Sequence, residues 1–500
     1  MPILDISIIV LYLLAMVGIG FYFSRKNKST AQFTTASSKI PCWAIGMSFY
    51  ATFLSAITFL GDPGKSFGSN WNPFVFSISM PFAAYFSSKY FVSFYRNTGE
   101  ISAYTHLEKR FGSWARSYVM LCFVLTQLAR MGTIFYAIAI AINALTGFDI
   151  PLIIMFSGVC VIVYTVFGGM EAVIWTEVVQ AVLKTMGALL ILGIILYSID
   201  AKVIIEEGFA KDKFSLGTFK FDLFQSSFWV VFIYGFFINL VNFGVDQNYI
   251  QRYHTAQSTK DAQMSIWQCV IFFLPVSFMF FFIGTALFVY YNHFPEQIAG
   301  LKQLVSVEKN IPLDSLLPAD YGDRVLPHFI KNNIPTGLLG LLMAALLSAA
   351  MSTMSSSMNS SATVFLKDFY QRYFRKDLSD LQQLRVLRIA TVCFGLLGIV
   401  FGIAMMGAKS LLDVWWKLSG IFAGGMLGIF LLGYLVKAAK KKAAIVAVIA
   451  GVLIIGFLSM NSYLPENMHT DLDPKLTVAF GTLTILGVGW LVSKFSKKDL

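Results

Sequence analysis

Residues 49–64 read FYATFLSAITFLGDPG, an apolar run broken at its centre by small and hydroxyl side chains and closed by Pro63 and Gly64. The run suits a helix that crosses a bilayer, but its middle does not. An interrupted helix frees backbone groups that lipid tolerates only where they line a site. A second stretch supplies a partner: residues 351–361 read MSTMSSSMNSS, seven hydroxyls in eleven positions directly after the apolar run 337–350. On a helix Ser352, Ser355 and Ser356 share one face, with Thr353 adjacent. Small and hydroxyl residues at this spacing also serve close helix packing, yet seven exceed what packing needs. Neutral hydroxyls and freed carbonyls are the oxygen ligands that a dehydrated hard cation requires, so the two stretches together point to Na+.

The rest of the 500-residue chain is membrane-like, 57% hydrophobic with 48 Phe and only 13% charged residues. Apolar runs of about 20 residues predict thirteen spanning helices, at roughly 4–24, 43–66, 71–95, 115–146, 150–168, 174–199, 226–247, 263–291, 328–362, 384–407, 411–436, 443–460 and 475–493. One set of loops carries Arg25/Lys26/Lys28/Lys39, Arg96/Lys109/Arg110/Arg116, Arg252/Lys260, Lys367/Arg372/Arg375/Lys376/Arg385/Arg388, Lys437/Lys440/Lys441/Lys442 and Lys494/Lys497/Lys498, and is expected to be cytoplasmic. The alternate loops, 200–225 and 292–327, are acidic and expected outside. This gives a multi-pass protein of the inner (plasma) membrane with its N-terminus outside and its C-terminus in the cytoplasm. The net charge of +11 is thereby a matter of topology, with no basic stripe for nucleic acid. Ile3 to Phe23 lacks a basic leader and reads as an uncleaved first helix.

The two polar stretches fall on the first and eighth helices of a ten-helix block. Secondary transporters commonly build such a block from two inverted five-helix repeats with the site at the midplane. The expected fold is an all-α membrane protein with a 5+5 inverted-repeat core at 41–436. One extra N-terminal helix and its loop occupy 1–40, and two extra C-terminal helices occupy 437–500.

Ionisable residues inside such spans mark function, because burying one costs at least ~2.5–3.5 kcal/mol. Glu177 and Lys184 lie in the run 174–199, and Arg130 sits near the middle of 115–146. A guanidinium held in a cavity suits a bidentate grip on a carboxylate, or an internal acid. Lys417, beside Trp415 and Trp416, reads equally as an interfacial anchor and as a substrate contact. The five Cys and five His are scattered, with no metal-ligand spacing and no nucleophile-base pair, so no enzyme is expected.

Four segments, FYATFLSAITF at 49–59, FGGMEAVIWTEVVQA at 167–181, DQNYIQRY at 246–253 and AAMSTMSSSMNS at 349–360, resemble the signature segments of the solute:sodium symporter family, which has the LeuT fold. The bacterial sialic acid branch is most similar. The resemblance implies a sodium site formed by the backbone oxygens of Ala51, Leu54 and Ala349 with the hydroxyls of Ser352 and Thr353. It implies a second site from Ser352, Ser355 and Ser356, where Glu177 stands in place of the usual Asp. It also implies that Ser55, Thr58 and Arg130 surround a substrate carboxylate. Phe53 and Ser77 depart from the branch, which shows Thr and Gln there, and Asn239, Asn242 and Phe243 are further cavity residues.

The expected function is a monomeric symporter, driven by one or two Na+ ions, that imports a small carboxylate-bearing organic anion, with sialic acid the first choice. A neutral sugar is the alternative substrate. Proton coupling through Glu177 and Lys184 is the alternative drive, because a buried Lys can take the place of a cation in such folds.

Overall fold

The computed structural model describes residues 2–25, 29–406, 411–461 and 464–495; Lys26, Lys28, Lys497 and Lys498 of the basic loops lie outside the described residues. Among the described residues the chain is helical, with no strand beyond one isolated bridge between Ile40 and Ala256. In chain order the helices are α1 (Ile3–Ser24), α2 (Thr30–Thr35), α3 (Cys42–Phe53), α4 (Ala56–Gly68), α5 (Val75–Phe86), α6 (Ser93–Thr98), α7 (Thr105–Phe111), α8 (Ser113–Thr146), α9 (Ile150–Ser198), α10 (Ala201–Ala210) and α11 (Phe228–Gly244). Then follow α12 (Gln247–Tyr253), α13 (Thr259–His293), α14 (Glu296–Lys309), α15 (Pro318–Asn333), α16 (Leu338–Val364), α17 (Gln371–Tyr373), α18 (Asp380–Ala404), α19 (Leu411–Leu435), α20 (Lys441–Ser459) and α21 (Thr477–Phe495). Nine of the described helices are long and apolar enough to cross a membrane, and up to eleven crossings result if each of two bent pairs is one span.

Both bent pairs have a local cause. Helices α3 and α4 meet at 53°, because Leu54 (φ −78°, ψ 75°) and Ser55 (φ −89°, ψ 176°) leave the helical region. The Ser55 N–H then donates to Phe53 O at 2.9 Å and no longer to Ala51 O. Helices α11 and α12 meet at 48°, and Asp246 caps the new start by accepting from Asn248 N at 2.8 Å.

Helix α9 is the converse case. Its 49 residues would span about 74 Å at the α-helical rise, more than twice a hydrocarbon core of about 30 Å. The chain turns back at Gly169, whose φ of 59° is open to glycine. Tyr164, before the turn, donates to Met351 O at 2.9 Å, and Lys184, after it, donates to Ser352 Oγ at 3.0 Å. Two points twenty residues apart thus reach one turn of α16.

The run expected at 328–362 is two helices. Residues 328–333 end α15, and α16 begins only after Pro335 and Gly337 (φ 90°). Its start is held from a distance: Asp5 Oδ1 accepts from both Gly337 N and Gly340 N at 2.7 Å, a carboxylate on a helix N-terminus. Helix α1 is thereby tied to α16, which also packs on α8, α9 and α18. The apolar core is continuous through these helices.

Candidate functional site

The hydroxyl stretch of α16 is wholly buried, and its side chains radiate to neighbouring helices. Ser352 donates to Ala51 O at 3.1 Å and Thr353 to Thr52 O at 3.3 Å, both on α3. Ser355 donates to Ser352 O at 3.1 Å, and Ser356 to Glu177 Oε1 on α9. Ser357 reaches Gln127 Oε1 on α8 at 2.8 Å, and Ser360 reaches Asn248 Oδ1 on α12.

At the break between α3 and α4 the freed carbonyls have a partner. Lys184 Nζ donates to Ala51 O at 2.7 Å, to Leu54 O at 2.8 Å and to Ser352 Oγ at 3.0 Å. The three N–H groups of an ammonium are matched by these three acceptors, and the side chain has no exposed surface. Of the five groups expected around a first sodium ion, Ala51 O, Leu54 O and Ser352 Oγ thus surround the lysine; Thr353 lies beside them, on Thr52 O.

Two turns along α9, Glu177 is met by Arg252. The Arg252 Nη2 donates to Glu177 Oε1 at 2.9 Å and Oε2 at 2.8 Å, to Thr52 Oγ1 at 3.0 Å and to Ser356 Oγ at 2.6 Å. Its Nε donates to Ser48 Oγ at 2.7 Å, its Nη1 to Asn248 O, and Ser48 in turn to Glu177 Oε2. Ser355 takes no part in this network, its hydroxyl being turned to Ser352 O. Arg252 is therefore not a loop charge: α12 is a short polar helix, bent 48° from α11 and buried along its length, that holds the guanidinium inside the protein. Arg116, expected in another basic loop, is likewise buried, against Asp368 and with Nη1 on Glu108 Oε2 at 2.9 Å.

On the other side of the break lies a cavity. Phe53, Ser55, Thr58, Ser77, Arg130 and Asn242 line it together, joined by Asp62, Tyr249, Trp415 and Trp416. Thr52 and Thr353 line it as well, so the cavity and the Lys184 cradle share a wall. Arg130 is held loosely: Nη2 reaches Asn242 Oδ1 at 3.4 Å and Nη1 reaches Asp246 Oδ2 at 3.4 Å. Its guanidinium carbon lies 5.0 Å from the Trp415 ring centre, a cation-π distance. Ser77 is bonded to Ser277 at 2.8 Å. Asn239 and Phe243 stand behind the lining: Asn239 Nδ2 donates to Ser79 Oγ at 3.3 Å, and Phe243 packs 5.4 Å from the Phe53 ring. Lys417 is exposed and outside the lining. Among the described residues there is no cluster of His, Cys, Asp and Glu that could hold a metal ion, and Cys42, Cys122, Cys160, Cys269 and Cys393 are free.

The profile of the sodium:solute symporter family matches residues 33–451. The chain belongs to this family. It is a transport protein of the membrane and not an enzyme. Over 501 residues this symporter is 30% identical to the sodium/sialic acid symporter NanT of Aliivibrio fischeri, covering 98% of this chain and 92% of that one. Over 484 residues it is 31% identical to the sodium/sialic acid symporter SiaT of Proteus mirabilis, covering 95% and 93%. Its fold matches that of a Na+-coupled sialic acid symporter solved substrate-bound and outward-open, with a TM-score of 0.87, 28% identity and coverage of 99% and 98%.

The symporter's sequence carried no sign that Arg252 would meet Glu177. Asp62 and Tyr249 also escaped notice, the first as part of a Pro-Gly helix end and the second inside a signature segment.

Proposed function

We propose that this symporter imports a sialic acid, coupled to sodium, across the cell membrane. The observation that carries the substrate is Arg130: a buried guanidinium facing the hydroxyls of Ser55 and Thr58, with only long contacts to its internal partners. A carboxylate arriving there offers it shorter, charge-assisted bonds than it now has. The sialic acid substrates of the similar symporters carry such a carboxylate, which supports the choice. Asp62 and Asn242 supply acceptors for a sugar's hydroxyl and amide groups.

Thirteen crossings are the arrangement we favour: α9 counts as two, and α5 with α6 forms a further span through the π-helical stretch Ser87–Val92. Residues 41–436 then form the ten-helix core, with α1 before it and α20 and α21 after it. The basic loops favour an outside N-terminus and a cytoplasmic C-terminus. Since one chain supplies the whole cavity and the cradle beside it, the monomer is the working unit.

Sodium drives the cycle by binding the outward arrangement better together with substrate than alone. Each ion moving down about 100 mV contributes about 2.3 kcal/mol, and a tenfold gradient adds about 1.4 kcal/mol. The contacts argue against a second ion. Glu177, assigned by resemblance to a second ion, spends both oxygens on Arg252, Ser48, Thr52 and Ser356.

The test is N-acetylneuraminate binding to purified protein in sodium buffer, wild type against Arg130→Gln. Wild-type binding that the substitution abolishes is expected; binding untouched by it argues for a neutral sugar.

A further inference from the structure

Resting on the sialic acid reading above, we infer that Asp62 is a second substrate anchor: its carboxylate takes vicinal hydroxyls of the substrate's tail, at the end remote from Arg130, and so selects long sugar acids over short carboxylates.

The carboxyl lacks a partner within the protein. Asp62 lines the cavity and is only 8% exposed, and among the described residues no hydrogen bond or ion pair engages its side chain. Lys65, one turn further along α4, is paired with Asp413 Oδ2 at 2.6 Å instead. Asp246 shows the contrast: it accepts from Gln127 Nε2 at 3.2 Å and from Asn248 N at 2.8 Å, and stands 3.4 Å from Arg130 Nη1. A carboxylate closed off from water without donors is costly, so a ligand that fills the cavity must bring donors to Asp62.

Two helices set that demand apart from Arg130. On α4, Ser55, Thr58 and Asp62 follow one another at three and four residues and all line the cavity. The helical rise puts Asp62 about 6 Å beyond Thr58 and about 10 Å beyond Ser55. On α19, Trp415 stands 5.0 Å from the Arg130 guanidinium carbon, while Leu412, one turn earlier, abuts Gly61: a Cβ on Gly61 would lie 3.5 Å from Leu412 Cβ. A short carboxylate seated on Ser55, Thr58 and Arg130 leaves Asp62 unpaired. A sugar acid whose hydroxylated tail extends away from its carboxylate meets both ends. Hydroxyls on adjacent carbons can each donate to one carboxylate oxygen, and the side chains of Phe76 and Trp416, which also line the cavity, offer no acceptor to compete for them.

The experiment is direct binding to the full-length protein in sodium buffer, for wild type, Asp62→Asn and Asp62→Ala. The ligands are N-acetylneuraminate and the analogue whose glycerol tail is shortened by periodate oxidation and borohydride reduction, which leaves a single tail hydroxyl. Expected is a wild-type preference of about 30-fold for the full tail, reduced in Asp62→Asn and lost in Asp62→Ala. Equal wild-type affinity for the two compounds overturns the inference and leaves the sialic acid reading standing, as does a full preference kept by Asp62→Ala. Binding of neither compound by wild type contradicts both.

Discussion

Two buried guanidinium groups stand about the same helix break, and they are held in opposite ways. Arg252 is saturated, with contacts of 2.6–3.0 Å to Ser48, Thr52, Glu177 and Ser356 and a further bond to Asn248 O. Arg130 has two partners, each at 3.4 Å, and faces a cavity. A charge buried without full compensation is costly, so the first arrangement holds helices together and the second is poised to receive a charged ligand. The contrast separates structure from recognition within one site.

Breaking the saturated side has the largest effect. Glu177→Gln leaves Arg252 in the interior without its counter-charge and lowers stability by about 3–5 kcal/mol, read as a fall in melting temperature or in the folded fraction by size-exclusion chromatography. The double variant Glu177→Gln with Arg252→Met recovers part of that loss, because the orphaned charge is gone. Equal destabilisation by the single and double variants would speak against the pair as a unit.

On the loosely held side the effect falls on binding. Arg130→Gln lowers N-acetylneuraminate affinity about 100-fold, or about 2.7 kcal/mol, while the melting temperature without substrate stays within a few degrees. A large loss of stability with unchanged affinity would reverse the two assignments.

The helix that carries Arg252 ends at His254, which is buried, and burial with Arg96 nearby pushes its pKa down from 6.5 to about 4. The unfolded chain therefore binds the extra proton between those two values, and stability is lost as pH falls through that window. Acidifying from pH 7 to pH 5 costs about 2 kcal/mol, and His254→Gln flattens the response in thermal unfolding. Smallest of all is Lys65→Gln, at the pair Lys65 Nζ to Asp413 Oδ2 of 2.6 Å between partly exposed side chains. A cost below about 1 kcal/mol is expected there.

Much of this was legible in the chain itself. Small and hydroxyl residues at 51–58, followed by Pro63 and Gly64, announced the break between α3 and α4, and the resemblance identified the family. Of the cavity residues, Phe53, Ser55 and Thr58 lie in the first signature segment, Arg130 stood out as a charge inside a span, and Ser77 and Asn242 follow from the resemblance to the family. Pairings between distant segments were not legible. Hydropathy places Arg252 in a loop because α12 is only seven residues long and polar, and nothing local records its 48° bend from α11. Lys184 was visible as a charge in a span, but its seat on Ala51 O and Leu54 O depends on backbone carbonyls that no side-chain pattern reports. At Gly169, by contrast, the two arms were legible as the separate apolar runs 150–168 and 174–199, and one positive φ makes the turn between them.

Uptake of radiolabelled N-acetylneuraminate into proteoliposomes, with and without an imposed inward sodium gradient, tests the central claim most directly. Accumulation above the external concentration under the gradient, abolished by Arg130→Gln, is the predicted result. Equilibration without accumulation under an inward sodium gradient, or accumulation that the Arg130 variant retains in full, would contradict it.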